Sequence, residues 1–342
     1  MTIGSIENLI IHFIGNKNNG EGVHFSDKTT EFGNIEVYIK QLFDNGFKSE
    51  ELFQFYFQPK LELNPMYQFI SSIFNDKESF IEESQNAGRY LYDKSTHPQI
   101  KGGELCVVYF SNCQLNNKTV DCIGLFKSEN KQTILKVNTT ENGLNLKEEQ
   151  GINVNKIDKG CLIYNTGKEE GYLISEVDNT NRSSEAQYWK NDFLGIQPIK
   201  SEFHQTNDFL GITKQFVTQH LPLDFEVSKA DQIDFLNRSV NYFKNHEKFD
   251  KSDFEDKVFE DDDVIESFQK YDRLYRQDNE VEVSDNFEIS KQAVKKQARV
   301  FKSVLKLDKN FHIYIHGGRE LIEQGFEKDG RKFYKIYYTD EN

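Results

Sequence analysis

The apolar residues of this chain change their periodicity once, near residue 180 of 342. Before that point, short apolar runs separated by polar turns predict β-strands, most clearly at Glu104–Phe110 and Val120–Phe126. Because the connections between successive strands are short, we expect an antiparallel sheet. Amphipathic spacing predicts helices at Asn34–Phe43 and Asp76–Lys94. This half of the chain is therefore predicted to be α+β, with a mixed, largely antiparallel sheet.

The second half of the chain has mainly helical spacing. The polar run Asp178–Ser184 has no periodicity and is the best candidate for a domain boundary. Strands are expected again only at Phe311–Ile315 and Lys332–Tyr338, with a turn at Lys328–Arg331. The sequence therefore predicts an α+β sheet domain over 1–180 and a mainly helical domain over 181–342. The second domain is closed by a C-terminal β-hairpin.

Composition excludes several classes of protein. No apolar run approaches 18 residues, which excludes a membrane span. The first ten residues lack a basic region and a small-residue cleavage site, so we expect a cytoplasmic protein without a secretion signal. Four cysteines without a CxxC pair fit a reducing compartment. A net charge of −14 argues against a uniformly basic nucleic-acid coat but allows a local basic site.

Two blocks of opposite charge adjoin each other in the second half. Asp250–Glu288 contains 15 acidic and 5 basic residues, whereas Ser290–Lys309 contains 7 basic residues and one acidic residue. The acidic segment could fold against the basic one and compete with phosphate for it. This is a hypothesis of electrostatic self-masking.

The cations of the basic block recur every three or four residues, which predicts one face of a helix over 290–307. A second, apolar row on the same helix would dock on a core. At a rise of 1.5 Å per residue the basic row would be about 22 Å long and could follow several phosphates. A solvated face, or one paired with the acidic segment, remains the alternative. The candidate nucleic-acid-binding residues are Lys291, Lys295, Arg299, Lys302 and Lys306, with Lys296 and Arg319 as flanks.

Motifs for catalysis are missing or poorly matched. Gly160–Glu169 has the wrong spacing for a phosphate-binding P-loop, and there is no GxGxxG or GxSxG motif. His312 and His316 are predicted on a strand, where four residues span about 13 Å, too far for one metal ion. Asp121 with Glu129-Asn130-Lys131 is a weak match to the D…ExK pattern of metal-dependent nucleases. We therefore predict no catalytic residue, no metal site and no cofactor.

Several segments resemble the bacterial nucleoid-associated protein family of the NdpA type. They occur in matching order across most of the chain: GELCVVYF (103–110), VDCIGLFKSENKQTILKV (120–137), YWKNDFLGI (188–196), HQTNDFLGITKQFV (204–217) and FHIYIHGGRELIEQGFEKDGRKFYKIYY (311–338). The resemblance implies a cytoplasmic protein located with the chromosome and without an established enzymatic activity. It supplies no residues that contact DNA, so the basic helix is inferred from the sequence alone.

The sequence thus predicts a non-enzymatic nucleoid-associated protein that binds DNA through phosphate contacts with little sequence specificity. Its partner is DNA, reached directly or through another protein, and not a membrane. One alternative is an adaptor that joins the nucleoid through a DNA-processing enzyme, using its acidic and aromatic surface. The other is a metal-dependent nuclease. The sequence does not determine the oligomeric state, and a homodimer is one of the alternatives.

Overall fold

The computed structural model describes residues 2–47, 51–115, 118–141, 143–180, 188–279, 281–301, 304–317 and 319–340. The chain divides into two compact units, Met1–Ile199 and Lys200–Asn342. This boundary lies after the polar run at Asp178–Ser184. The reason is that Trp189 and Phe193 are buried in the core of the first unit, and Ile196 pairs with one of its strands.

The first unit contains an antiparallel eight-stranded sheet. Its strands are β1 (Ser5–Ile14), β2 (Val23–His24), β3 (Leu52–Phe55), β4 (Gly103–Leu115), β5 (Lys118–Ser128), β8 (Lys159–Tyr164), β9 (Leu173–Asp178) and β10 (Ile196–Pro198). They lie in the order β10-β3-β9-β8-β5-β4-β1-β2. Its helices are α1 (Glu36–Gly46), α2 (Pro65–Asn75) and α3 (Phe80–Lys94), with 3-10 turns at Gly33–Ile35, Leu61–Leu63, Lys77–Ser79 and Lys168–Glu170 and a π-helical segment at Tyr188–Leu194.

The central strands are buried on both faces. Alternate residues of β4 contribute to two different cores: Val107 to the core that contains α2 and α3, and Val108 to the core that contains Phe43 of α1. Helices on both sides explain why β4 reads as an almost continuous apolar run. At Gly124 of β5 a Cβ atom would lie 2.6 Å from the Phe43 ring, so this close packing requires glycine.

Among the described strands of the first unit, one hairpin pairs with no strand outside itself. Its strands are β6 (Gln132–Thr140) and β7 (Gly143–Gly151), which form a separate two-stranded sheet. The sequence predicts the first of these strands at Thr133–Val137. It does not predict the second, which is largely polar.

The second unit is mainly helical. Its helices are α4 (Glu202–Gln215), which continues as a π-helical turn (Phe216–His220), α5 (Leu221–Asp224), α6 (Lys229–Asn245), α7 (Lys251–Val258), α8 (Asp262–Asp278) and α9 (Lys291–Ala298), with a 3-10 turn at Arg319–Leu321. Among the described residues its strands form three antiparallel pairs. Strand β11 (Lys248–Asp250) pairs with β12 (Asn286–Glu288) across α7 and α8, and two hairpins follow: β13 (Val304–Leu307) with β14 (Phe311–Tyr314), and β15 (Ile322–Phe326) with β16 (Lys332–Ile336). A cluster rich in phenylalanine, centred on Phe209, packs these helices together.

The predicted fold class is confirmed: an α+β sheet domain is followed by a mainly helical domain that ends in a β-hairpin. The sequence Ser228-Lys-Ala-Asp231 predicts a capping box, with Asp in place of Glu, and the box is present at the start of α6. The last strand pairs with Ile322–Phe326, whereas the predicted strand at Phe311–Ile315 pairs with the segment before it.

The predicted helix over 290–307 is wrong in its second half. Helix α9 ends at Ala298, and Val304–Leu307 forms strand β13. Phe301 enters the phenylalanine-rich core, whereas Leu305 enters a separate core with Ile233. Leu305 and Leu307 also share one face of the strand, opposite Ile313 and Phe311, and Asp308 has a positive φ of 49° in the hairpin turn. Strand pairing therefore prevails over the helical spacing of the sequence.

A buried histidine makes the stability of the first unit depend on pH. His12 of β1 is 1% exposed, with Nε2 3.0 Å from the Ser84 Oγ, and its Nδ1 accepts a hydrogen bond from the Ser26 N–H. Burial, with the nearby positive charge of Arg89, lowers the pKa of His12 from 6.5 to about 4. The folded state therefore favours the neutral ring.

We expect the stabilising contribution of neutral His12 to be complete above pH 6.5 and to be lost as the pH falls towards 4. The reason is that in this pH range the unfolded chain binds a proton at His12 and the folded chain does not. The shift in the pKa of His12 corresponds to about 3 kcal/mol in the free energy of unfolding. Urea unfolding at pH 4.5 and 7.5 should show a smaller pH difference for His12→Gln than for wild type. The exposed His316→Gln serves as the control and should behave as wild type.

Candidate nucleic-acid interface

Helix α9 is fixed to the second unit by one face. The Ser290 hydroxyl caps its first turn by accepting a hydrogen bond from the Ala293 N–H, and the Ser290 N–H donates to the Thr206 Oγ1 of α4 at 3.1 Å. Ala293 and Val294 are buried against α4 and α6. The Gln297 amide donates to the Asn207 Oδ1 of α4 at 2.6 Å. The orientation of the helix is therefore set at both ends.

The opposite face of α9 carries exposed cations. Lys291 and Lys295 lie on α9, and Arg299 directly follows its last residue in a helical backbone conformation. The three residues follow one another at intervals of four, so they form one row about 12 Å long. All three side chains are exposed, and none forms an ion pair among the described residues. We call these three residues the basic row. Their charges are available to a ligand in solution.

Lys306 belongs to the same unit but not to the helix. It lies exposed on β13, directly opposite His312 of β14. Lys306 also lines an open pocket of about 310 Å³ together with Lys229, the first residue of α6. Helix α6 packs against both α9 and β13. Lys229 is not among the residues predicted from the sequence, although its position next to the Ser228 cap marks an exposed helix start.

The remaining predicted residues differ in their surroundings. The Lys296 ammonium lies 5.3 Å from the centroid of the Phe203 ring, so part of its charge is directed at its own unit. Arg319 donates to Asp231 at 2.5 Å and to the carbonyl of Ile322. It therefore joins the C-terminal segment to the start of α6. Lys302 lies outside the described residues.

The acidic segment uses many of its charges internally. Asp272 is 1% exposed and is paired with Lys251 at 2.6 Å and with Arg276 at 2.7 Å. Asp250 and Asp261 cap the first turns of α7 and α8. Among the described residues, no ion pair joins this segment to the basic row or to Lys306. The self-masking hypothesis therefore gains no support from the structure.

The residues proposed for a nuclease do not come together. Asp121 lies near the start of β5 and Glu129 follows its end, eight residues and about 26 Å away along an extended strand. Asp121 accepts a hydrogen bond from the Tyr109 hydroxyl at 2.7 Å, and Lys131 pairs with Glu104 at 2.5 Å. Among the residues that the structure describes, no group of three His, Cys, Asp or Glu side chains could hold a metal ion.

His12 and Ser84 resemble a nucleophile and its base, but their hydrogen bonds exclude that role. Because the Ser26 N–H donates to Nδ1 of His12, Nε2 carries the proton and donates to the Ser84 Oγ. The Ser84 hydroxyl in turn donates to the carbonyl of Ile81 at 2.7 Å. A protonated Nε2 cannot remove a proton from serine, so this pair is structural.

A buried network of charges joins the ends of β5, β8 and β9. Lys159 is fully buried and donates to both carboxylate oxygens of Asp178 at 2.9 Å. Lys127, also fully buried, lies 3.2 Å from the Glu129 carboxylate, which accepts a further hydrogen bond from the Tyr188 hydroxyl at 2.7 Å. Burial lowers the pKa of Lys127, and the charge of Glu129 partly offsets this effect. Each charge has an opposite partner, so the network positions the strand ends.

Replacing Lys159 by methionine should destabilise the first unit by about 3–5 kcal/mol, because it removes a fully buried cation that pairs with the carboxylates of Asp178 and Glu129. The measurement is the free energy of unfolding by urea titration, followed by circular dichroism. The matched control is Lys136→Met, which removes an exposed partner of Glu149 and should change stability little. Equal effects of the two substitutions would contradict a structural role for the network.

The structure thus defines a two-unit α+β protein with an exposed basic row on its mainly helical unit. The family model described as nucleoid-associated protein YejK matches residues 10–332. Because the match covers almost the entire sequence, the chain belongs to this family. Membership confirms the resemblance seen in the sequence and supports a role at the nucleoid. A comparison with curated proteins finds no match. In the described part of the chain, no helix has the length and apolar character needed to cross a membrane.

Proposed function

We propose that this protein binds DNA directly through phosphate contacts, with little sequence specificity, and catalyses no reaction on it. The observation that carries the proposal is the basic row Lys291, Lys295 and Arg299, which is exposed, fixed in orientation and without an ion pair among the described residues. Lys306 and Lys229 extend the cationic surface of the same unit. Membership of a nucleoid-associated family supports DNA as the ligand of this surface.

Electrostatics favours a local and weak mode of binding. The chain carries a net charge of −14, so DNA is repelled by most of the surface and attracted only where cations are concentrated. Lysine presents a point charge to phosphate and does not read base edges from that position. With about four phosphate contacts, raising the salt from 50 to 200 mM should weaken binding about 100-fold.

Reversing the basic surface should abolish most of this binding. The variant Lys291→Glu, Lys295→Glu, Arg299→Glu, Lys306→Glu should lower the affinity for duplex DNA and flatten the salt dependence. The slope of log K against log salt should fall by about 0.9 for each lost phosphate contact. The measurement is fluorescence anisotropy of a labelled random duplex across a salt series.

The control must change the net charge equally, because a more acidic protein is repelled by DNA at any site. Four exposed lysines of the first unit have no ion pair among the described residues: Lys28, Lys60, Lys118 and Lys156. Replacing them by glutamate should leave most of the binding intact. Equal losses in both variants would show that net charge, and not the basic row, determines affinity.

The absence of catalysis is tested in the same samples. The labelled duplex should remain intact on incubation with Mg²⁺, in the wild type as in Glu129→Ala. Mg²⁺-dependent cleavage that disappears in Glu129→Ala would revive the nuclease alternative.

An adaptor role is the second candidate function, and exposed aromatic side chains favour it. Phe326 is 71% and Tyr338 72% exposed in the C-terminal part of the second unit. Exposed aromatic residues are enriched at protein interfaces. Purified protein that ignores DNA at low salt but co-purifies with a DNA-processing enzyme would favour this candidate over direct binding.

A further inference from the structure

Two of the four cysteines lie next to each other in the central sheet. Strands β4 and β5 pair Phe110 with Cys122 and Cys113 with Val120, and a bulge lies between these two pairs. Phe110, Cys113 and Cys122 are buried in the same core, so they share one face of the sheet. Cys113 and Cys122 are therefore diagonal neighbours across the two strands. Both are free thiols with no exposed surface.

Hydrogen bonds make Cys113 the more acidic of the two thiols. The Cys122 thiol donates a hydrogen bond to the Cys113 sulfur, and the Gly4 N–H donates to the same sulfur at 3.3 Å. The hydrogen bond from Cys122, helped by that from Gly4, lowers the pKa of Cys113, although burial acts in the opposite direction. In Cys122 the same hydrogen bond and burial raise the pKa. A negative charge is therefore favoured on Cys113, while Cys122 keeps its proton.

The other two cysteines lack this arrangement. Burial raises the pKa of Cys106 and of Cys161. Cys161 lies in the core on the opposite face of the sheet. Cys106 pairs with Phe126, four residues along β5 from Cys122 and about 13 Å away. Because oxidants react with the thiolate and not with the thiol, these two residues are internal references for an unreactive buried cysteine.

We propose that Cys113 and Cys122 form a site of reversible oxidation, at which a peroxide converts the two thiols into a disulfide. Cys113 is the thiolate that reacts with the peroxide, and Cys122 is the second thiol that completes the bond. A thiolate beside a second cysteine is the arrangement typical of redox-sensitive sites. The proposal does not depend on the proposed binding of DNA.

The reaction balances with hydrogen peroxide as the oxidant. The Cys113 thiolate attacks one peroxide oxygen, the O–O bond breaks, and a sulfenic acid forms with release of hydroxide. The Cys122 sulfur then attacks the Cys113 sulfur, so that the S–S bond forms and the S–O bond breaks. Water leaves with the Cys122 proton, and the proton that Cys113 gave up earlier neutralises the hydroxide. Two thiols thus lose two electrons and two protons, and the peroxide is reduced to two molecules of water.

The backbone around Cys113 favours access and bond formation. Gly4, whose N–H contacts the sulfur, belongs to the segment before β1, which two backbone hydrogen bonds between Thr2 and Gln114 join to β4. A short segment held in this way opens locally at a lower cost in free energy than the central sheet. A disulfide between diagonal neighbours requires a small backbone movement. The bulge beside Cys113 interrupts the regular ladder and permits it.

Peptide mapping of the full-length wild type tests the proposal. The protein is incubated with hydrogen peroxide, the remaining thiols are blocked with N-ethylmaleimide in urea, and the chain is cut with trypsin without reduction. Trypsin places Cys113 and Cys122 on peptides 102–118 and 119–127, so the disulfide joins these peptides. The joined mass should appear in the wild type and disappear after reduction with dithiothreitol. Cys113 should become protected from the blocking reagent at least about tenfold faster than Cys161.

A matched substitution identifies the partner of Cys122, because peptide 102–118 also contains Cys106. The joined peptides should persist in Cys106→Ala and be absent from Cys113→Ala. Separate peptides in the peroxide-treated wild type would overturn the proposal, as would a disulfide that persists in Cys113→Ala or oxidation of Cys161 as fast as that of Cys113. The wild-type measurement requires no substitution, so the test remains decisive even if a variant fails to fold.

Discussion

The pairing of β4 with β5 is the constraint on which the first unit depends. Each of these strands sends alternate side chains into two cores, so a slip of one residue would exchange the contents of both. Helix α1 can approach one face closely because Gly124 leaves room for the Phe43 ring. At the far end of β5, the network of Lys127 and Glu129 fixes the strand where it leaves the sheet. The central register therefore sets the position of the elements on both faces.

The spacing of apolar residues was sufficient to predict those strands and helices whose buried side chains follow that same spacing. The strands at β4 and β5 and the helix at α3 follow this rule. It fails where a segment is stabilised by a distant partner. Strand β7 is largely polar, with Leu144 and Leu146 as its two apolar side chains, and is specified by pairing with β6. Strand β13 is specified by pairing with β14 and by a core that contains Ile233.

A six-residue repeat shows directly that local sequence does not by itself determine local structure. NDFLGI occurs at Asn191–Ile196, where it spans the end of a π-helical segment and the start of β10, and at Asn207–Ile212, where it lies within α4. The Phe and Leu side chains are buried in both copies, but in different cores. An identical segment thus adopts two structures because its apolar pair is buried by different neighbours.

The sequence was sufficient to predict the exposed cations of the candidate site on helix α9. It was not sufficient to predict which cations outside the helix belong to the site. The spacing identified Lys291, Lys295 and Arg299 correctly as one exposed row, whereas Lys306 reaches the same unit's surface on a strand and Arg319 is used to hold that unit together. A single row of about three cations binds phosphate weakly.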